Sequence, residues 1–187
     1  MLDEFKVYII NLKQSTERKE SILREISKQN IKNFELIEAV DGNNLNNEEL
    51  NLCTFKNKKN YNPWGPKLTY SQIGCALSHI KIYKDFINSK YDYALILEDD
   101  AIFLDDFTLN LQKFILNNLK FKKQIFLLSE LKEFLKNPID KIEKYEVVRI
   151  TNAFFTHSYF ISKEAARSII EFNYPIKTWA DNFVLFK

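Results

Sequence analysis

The sequence predicts a single α/β domain in which short strands alternate with amphipathic helices. Residues 94–97 form an uninterrupted apolar run that is too short for a typical helix and suits a strand buried on both faces. Residues 7–10 form a second such run, and the polar loop and apolar-striped helix after it give the order of a βαβ unit. With 187 residues, 45% of them hydrophobic, residues 1–187 are expected to form one domain with a substantial core.

Charge and composition narrow the classes of partner. The net charge is +2, and Lys and Glu alternate along the segments instead of forming a basic stripe, so nucleic acid is not expected as a primary partner. Cys53 and Cys75 lie far apart and form no C-x-x-C pair, so neither a disulfide scaffold nor a zinc site is predicted. The acidic start of the chain and the lack of a membrane-spanning apolar run lead us to expect a cytoplasmic protein, with peripheral attachment to a membrane left open.

The first predicted strand ends in a polar segment that suits ligand binding. Asn11 and Lys13 lie at the carboxyl end of this strand, where sheets of this class bind their ligands. Ser15 or Thr16 is expected to cap the helix that follows. Arg18 lies in that helix, and Arg is rare in this chain relative to Lys. A bidentate contact with phosphate or carboxylate is one reason to use Arg, and a solvated helix charge is the alternative.

The next part of the chain predicts a second strand, a turn and a long loop. Residues 34–40 have the pattern of a strand, and residues 41–44 have the composition of a turn. Residues 46–67 are polar and irregular, and a loop of this length in a compact domain is usually functional or disordered. Aromatic rings among amides would suit a sugar or a base, and would equally suit a lid on the core. These rings are Tyr61, Trp64 and Tyr70.

A helix is predicted at residues 71–88, because apolar side chains recur there at spacings of three and four. Gly74, Ser78 and His79 lie in its first half. His79 falls on one line with Cys75, beside the main apolar stripe, so we expect it to be at least partly buried. A single histidine in that setting is most often a structural residue.

Three acids follow the apolar run at residues 94–97 without a spacer. Glu98, Asp99 and Asp100 repel one another and resist desolvation, so their arrangement is expected to be favourable only with a cation among them. In an extended segment Glu98 and Asp100 point to one side and Asp99 to the other. The first two are therefore a candidate ligand pair for Mg²⁺ or Mn²⁺, with Asp99 as a support. The alternative is a set of solvated acids in a loop.

The second half of the chain completes the mixed α/β pattern. We expect a helix capped by Asp105 or Asp106 that ends near residue 119, a strand at 124–129, a short amphipathic turn at 131–136, adjacent strands at 145–150 and 153–161, and a helix capped by Ser162.

One acid stands among apolar residues near the end of the chain. Asp181 follows Pro175 and has Trp179, Ala180 and Phe183 as neighbours. Neighbours that exclude water suit a general base. The same position also suits a turn cap.

Four blocks of the sequence occur in a distinctive order and spacing. They are V-Y-I-I-N-L-K-x-S-T-E-R, A-V-D-G, I-G-C-A-L-S-H-I-K-I-Y and A-L-I-L-E-D-D-A. Together they closely resemble glycosyltransferase family 25, of the lipooligosaccharide galactosyltransferase type, over Val7 to about Asp181. The resemblance implies a GT-A-like fold, with a Rossmann-type mixed sheet flanked by helices. It also implies a UDP-sugar or similar nucleotide-sugar donor and a divalent metal, Mn²⁺ or Mg²⁺, at an acidic motif.

The resemblance implies roles for individual residues. Glu98 and Asp100 match the metal-binding acidic motif, and Asp99 lies beside them at the donor. Asp181 is the expected general base, with His79 as the alternative. Further donor-binding residues carried over from the other blocks are Asn11, Arg18, Asp41, Gly74 and Ser78.

The sequence departs from the family pattern in places. Gln72 stands where the family often has Glu before Ile-Gly-Cys, and Ser158 precedes Tyr159 where the usual motif ends in Ala-Tyr. His157 lies in the same block, before the last helix. The chain ends at Lys187, which is shorter than many members and would affect acceptor binding and activity.

The expected function is metal-dependent, inverting transfer of a hexose, galactose from UDP-galactose, to a lipooligosaccharide or other bacterial surface glycan. A carboxylate base would take the proton of the acceptor hydroxyl, and the metal would offset charge on the leaving UDP. Two alternatives remain. One is a non-catalytic nucleotide- or carbohydrate-binding remnant of the same fold, and the other is a metal-dependent phosphohydrolase, which leaves the aromatic loop without a role. The expected partners are a nucleotide-sugar donor and a glycan or glycolipid acceptor.

Overall fold

The computed structural model of the chain describes residues 5–55, 67–118, 122–128, 133–142, 145–152 and 157–183. Its helices and strands alternate along the chain, as the sequence predicts. In chain order they are β1 (Lys6–Asn11), α1 (Thr16–Lys28), β2 (Phe34–Glu38), α2 (Asn47–Cys53), α3 (Tyr70–Asn88), β3 (Tyr93–Glu98), α4 (Phe107–Asn118), β4 (Ile125–Leu127), β5 (Glu133–Phe134), β6 (Asp140–Ile142), β7 (Tyr145–Val147), β8 (Ile150–Asn152), β9 (Ser158–Ser162) and α5 (Lys163–Asn173).

A five-stranded mixed sheet organises these elements, in the order β2-β1-β3-β9-β4. β1 pairs in parallel with both β2 and β3, whereas β9 runs antiparallel to β3 and β4. The register places Ile10 opposite Glu98 and Asn11 opposite Glu38. The carboxyl ends of the three parallel strands therefore meet at one edge of the sheet, which is where ligands bind in sheets of this class.

Both faces of the sheet are covered, because successive strand residues point to opposite sides. On β1, Tyr8 and Ile10 belong to the core cluster that includes residues of α3 and α5. Val7 and Ile9 belong to the other cluster, with residues of α1 and α4. The apolar run of β3 divides in the same way, so its prediction as a strand buried on both faces is confirmed. The result is a mixed sheet flanked by helices, consistent with the GT-A-like fold that the resemblance implies.

The helix starts depend on capping groups that the sequence predicts in part. α3 begins one residue earlier than expected, because Thr69 and Gln72 form a capping box before it. The Ser162 side chain accepts a hydrogen bond from the backbone nitrogen of Ala165, so the predicted cap of α5 is confirmed. Ser15 occupies the capping position of α1, but its side chain makes no capping hydrogen bond.

The predicted pairing of the C-terminal strands is wrong. β7 pairs with β6 and β8 with β5 in two small ribbons, whereas β9 lies inside the main sheet. The segment expected to be an amphipathic turn supplies β5 in its described part, and Phe134 there is exposed. All five residues of β9 are buried, so this strand suits the interior of the sheet, while β5 and β7 are only partly buried or exposed.

Some expectations fall on residues that the structure does not describe. Tyr61 and Trp64 of the predicted aromatic loop, and residues 153–156 of the last predicted strand, lie outside the described ranges. Tyr70 begins α3 and is 55% exposed. Among the described helices, none has the length and apolar character to cross a membrane.

Candidate active site

The acidic turn after β3, Glu98 to Asp100, is anchored by the buried side chain of Asp99. Its side chain is 10% exposed and accepts a hydrogen bond of 2.7 Å from Nδ2 of the buried Asn11. The same Asn11 nitrogen donates to the carbonyl of Ser15 at 3.1 Å, which fixes the loop between β1 and α1. Arg18 Nη1 donates to the second Asp99 oxygen at 3.2 Å. The structure therefore brings Asn11, Arg18 and Asp99 together, and Asp99 supports the turn as the strand geometry suggested.

Glu98 and Asp100 face a third potential ligand, His157. The three residues each offer one ligand atom, and these atoms lie within 4.8 Å of one another. His157 Nδ1 lies 3.0 Å from Asp100 Oδ1, and the Glu98 backbone nitrogen donates to the His157 carbonyl at 2.8 Å. Arg18 Nη1 is 3.7 Å from the other Asp100 oxygen. Two carboxylates and an imidazole suit a divalent cation such as Mn²⁺, so the residues present fit the implied metal.

The sequence identifies His157 only as part of a family block before the last helix, with no role in the site. The physical reason for its position is the direction of β9. Because β9 runs antiparallel to β3, the residue before β9 lies against the carboxyl end of β3. An antiparallel strand next to β3 was not predicted, so the proximity of His157 to the acids could not be derived from the sequence pattern.

His79 is buried beside Glu98 and is more than a core histidine. Its side chain is 2% exposed, and Nε2 lies 3.3 Å from Glu98 Oε1. Nδ1 lies 2.7 Å from the hydroxyl of Tyr159, which is 2.6 Å from the hydroxyl of Tyr83. Burial alone would lower the pKa of His79, but its hydrogen bonds with Cys75 and Glu98, and their charges, raise this pKa to about 9. His79 therefore links the acidic turn to the core.

Gly74 and Ser78 hold α3 against the loop after β2. A Cβ atom at Gly74 would lie 2.5 Å from both the Val40 carbonyl oxygen and the Gly42 nitrogen, so only glycine permits this approach. Ser78 Oγ donates to the Gly74 carbonyl at 2.7 Å and accepts from the Val40 nitrogen at 2.8 Å. These contacts position the loop that carries Asp41. Direct contact of Gly74 or Ser78 with a donor stays a prediction.

Asp41 is the acid of that loop, and amide groups surround its carboxylate. It accepts hydrogen bonds from the Asn43 nitrogen at 3.0 Å, from Asn44 Nδ2 at 3.0 Å and from Gln14 Nε2 at 3.1 Å. The bond from Gln14 connects the loop after β2 with the loop after β1. The role of Asp41 in donor binding stays a prediction.

Asp181 lies in the segment after α5 and is half-buried. The segment reaches the site through Phe183, whose ring centroid is 5.3 Å from that of Tyr159. Tyr159 in turn contacts His79. The structure therefore connects the segment of Asp181 with the His79 network, and its role as a general base stays a prediction.

A cavity of about 980 Å³ opens beside the acidic turn. Asp100 and His157 line it together with mostly apolar residues from α4 and from β4, β6 and β7. Some of its apolar residues are themselves exposed, among them Ile102 at 86% and Leu104 at 60%. Two of the three candidate metal ligands, Asp100 and His157, thus lie in the wall of a space large enough for a substrate.

Comparisons with known proteins agree with this architecture. The family model described as "Glycosyltransferase family 25 (LPS biosynthesis protein)" matches residues 4–184. Procollagen galactosyltransferase 2 of Homo sapiens and of Mus musculus is 34% identical over 97 residues, which are 51% of this chain and 15% of those proteins. The procollagen lysyl hydroxylase and glycosyltransferase of Acanthamoeba polyphaga mimivirus is 38% identical over 108 residues, which are 51% of this chain and 12% of that protein.

These alignments therefore cover less than a fifth of each curated relative. The family match, in contrast, extends over nearly the whole chain and includes the acidic turn, α3 and β9. The mixed sheet flanked by helices is consistent with the GT-A-like fold that the resemblance implies. The chain belongs to glycosyltransferase family 25.

Proposed function

We propose that this protein is a metal-dependent, inverting glycosyltransferase that transfers a hexose, galactose from UDP-galactose, to a hydroxyl of a glycan. The observation that carries the proposal is the convergence of Glu98, Asp100 and His157 at the carboxyl ends of the parallel strands, in a member of this family. The choice of galactose is supported by the names of two relatives, which are called procollagen galactosyltransferases.

The donor diphosphate is placed at the acidic turn. Glu98, Asp100 and His157 would hold Mn²⁺ or Mg²⁺, which when bound offsets negative charge on the leaving nucleoside diphosphate. Arg18 is 60% exposed and lies between Asp99 and Asp100, so its guanidinium can contact a phosphate. Asp99 and Asn11 hold the turn in position through their buried hydrogen bond.

The proton of the attacking hydroxyl needs a separate acceptor. The proposed base is Asp181, since Glu98 and Asp100 become poor bases when they bind a cation. His79 is the alternative, but Nε2 faces Glu98 and Nδ1 faces Tyr159. His79 would therefore have to break one of these contacts before it could take a proton from substrate.

The acceptor is placed in the cavity beside Asp100 and His157, because that space joins the proposed donor site. We favour a lipooligosaccharide or other bacterial surface glycan, in line with the family description as an LPS biosynthesis protein. A glycolipid acceptor would place the protein at the cytoplasmic face of a membrane, which cosedimentation with acceptor-containing vesicles tests. A procollagen chain is the second candidate, because relatives carry that word in their names. In either case Leu104→Ser in the cavity wall is expected to raise the acceptor KM while leaving the donor KM unchanged.

The deciding experiment measures turnover of a panel of UDP-sugars by metal-free protein, with and without Mn²⁺, and with each acceptor separately. Galactose transfer that needs both Mn²⁺ and a glycan acceptor supports the proposal. Donor binding without transfer to any acceptor would indicate the non-catalytic remnant. Release of phosphate independent of an acceptor would indicate a phosphohydrolase. Transfer that persists unchanged in chelator would contradict the metal dependence.

A further inference from the structure

We propose that Cys75, His79 and Glu98 form a site for a thiophilic divalent cation such as Zn²⁺, and that Zn²⁺ bound there displaces the cation from Glu98, Asp100 and His157. The two ligand sets share Glu98. The Zn²⁺ site itself goes beyond the proposed function, and only its competition with the catalytic metal rests on that function.

The three ligands come from two elements that the fold fixes against each other. Cys75 and His79 lie four residues apart on α3, so their side chains project from the same face of the helix. Glu98 ends β3, which packs beneath α3. One ligand atom from each of the three residues lies within 4.8 Å of the other two. The sequence showed no C-x-x-C pair, and this site uses a helix and a strand end instead.

The distance between His79 and Glu98 permits coordination of a metal by both side chains. Nε2 and Oε1 are 3.3 Å apart, which is longer than the roughly 2.7–2.9 Å of a charge-assisted hydrogen bond. Two ligands bound to tetrahedral zinc at about 2.0–2.1 Å are separated by roughly 3.3–3.4 Å. The observed separation, which is that of a long hydrogen bond, is compatible with a zinc ion between these atoms.

The surroundings of His79 resemble those of a metal ligand. Its Nδ1 contacts the hydroxyl of Tyr159 at 2.7 Å, and Tyr83 contacts that hydroxyl in turn. A hydrogen bond on the second ring nitrogen orients a ligating imidazole and is a usual partner of metal-bound histidine. It leaves Nε2 as the nitrogen that faces Glu98. Cys75 is exposed and uses no disulfide, so a cation can reach the site from solvent.

The chemistry of the two sets differs. Thiolate and imidazole favour Zn²⁺, whereas carboxylates favour Mn²⁺ and Mg²⁺. Zn²⁺ also binds nitrogen and sulfur ligands more tightly than Mn²⁺ does. Because a single carboxylate serves both sets, occupation of the Cys75 set removes one ligand from the other. Zn²⁺ is therefore expected to inhibit transfer by competing with Mn²⁺.

Direct binding tests the site. Zn²⁺ affinity of the metal-free full chain is measured by competition with a chromophoric chelator, and Co²⁺ is added separately to detect thiolate ligation by its absorption. Cys75→Ser should weaken Zn²⁺ binding by at least about tenfold and abolish the thiolate signal. Cys53→Ser is the matched control, because Cys53 is the other free cysteine and lies outside the site. His79→Gln should weaken binding similarly, with circular dichroism used to check its fold.

The competition has its own measurement. Zn²⁺ at a fixed concentration should lower the apparent Mn²⁺ affinity of the wild type, and this effect should be lost in Cys75→Ser. Equal Zn²⁺ affinity in Cys75→Ser and wild type would overturn the site. Zn²⁺ binding that leaves Mn²⁺ affinity unchanged would overturn the competition. Neither readout needs turnover, so a protein that binds Zn²⁺ through Cys75 and transfers no sugar refutes the proposed function alone.

Discussion

Asp99 and Asp100 are adjacent in the same turn, but truncation to Ala is expected to affect stability at one and donor binding at the other. Asp99→Ala should destabilise the fold, whereas Asp100→Ala should spare the fold and abolish metal-dependent donor binding. The reason is their difference in burial and partners. The Asp99 side chain is 10% exposed and accepts from the buried Asn11, while the Asp100 side chain is 35% exposed and lies 3.0 Å from the half-exposed His157.

The magnitude follows from the contacts. Asp99→Ala leaves one N–H of Asn11 without its acceptor, which costs about 1–3 kcal/mol. It also removes a partly exposed ion pair with Arg18 worth about 0–1 kcal/mol. At about 3 °C per kcal/mol for a chain of this size, the expected loss of roughly 1–4 kcal/mol lowers Tm by roughly 3–12 °C. Asp100→Ala loses its contact with His157 but also relieves repulsion from Glu98, so its Tm is expected to stay within about 3 °C of wild type.

Two assays separate the roles. Thermal unfolding of the metal-free protein gives the stability of both variants, and calorimetric titration of UDP-galactose with and without Mn²⁺ gives donor binding. Asp100→Ala should lose the Mn²⁺-dependent part of binding, and Asp99→Ala should retain it at temperatures where the variant is folded. The reasoning is refuted if Asp99→Ala leaves Tm unchanged, or if Asp100→Ala binds donor and Mn²⁺ as wild type does.

Further changes test the surroundings of the site. Gly74→Ala should destabilise the protein by about 1–3 kcal/mol in urea unfolding, since its Cβ would meet backbone atoms at 2.5 Å. The control is Ser71→Ala, on the exposed side of α3, which should change the free energy of unfolding by less than about 0.5 kcal/mol. Equal effects of the two variants would contradict the close approach of α3 to the loop after β2. Arg18→Lys should weaken donor binding severalfold in calorimetry with Tm unchanged, because the lysine ammonium cannot reproduce a planar bidentate contact with the phosphate. An unchanged Kd would indicate that Arg18 is only a solvated charge on the helix face. Burial and the hydrogen bond to Asp85 raise the pKa of Tyr8, so the folded state keeps the phenol proton at a pH where the unfolded state loses it. The stability advantage of wild type over Tyr8→Phe should therefore be constant below about pH 10 and shrink above it. A difference in Tm that stays constant from pH 8 to 11 would contradict this.

The strands that line the site could be predicted because their sequence pattern is set by burial. β1 and β3 are apolar on both faces, which only a strand covered by helices on two sides requires. Because β1 and β3 pair in parallel, the polar residues at their carboxyl ends, Asn11 and the three acids, lie together at one edge of the sheet. Local pattern and the sheet geometry were sufficient for this half of the site.

The partners of the acids could not be predicted, because they come from elements whose pairing is not encoded locally. β9 reads as a strand in the sequence, but nothing in its composition states that it lies antiparallel to β3. That pairing alone brings His157 to Asp100 and Tyr159 to His79. Similarly, the periodicity of α3 predicts that His79 is buried, but the partner that it meets depends on how α3 packs over β3.

The three adjacent acids do not depend on a cation for compensation, although their spacing in the sequence predicts that they would. Each of them has its own donor or histidine in the described structure. The turn is therefore compensated before any metal binds, and a cation must compete with these contacts. Because the metal is not needed to hold the turn together, its binding can serve to stabilise the donor diphosphate. The affinity for this metal depends on whether Glu98 is bound to it or to another partner. The contacts are Glu98 with His79, Asp99 with Asn11 and Arg18, and Asp100 with His157.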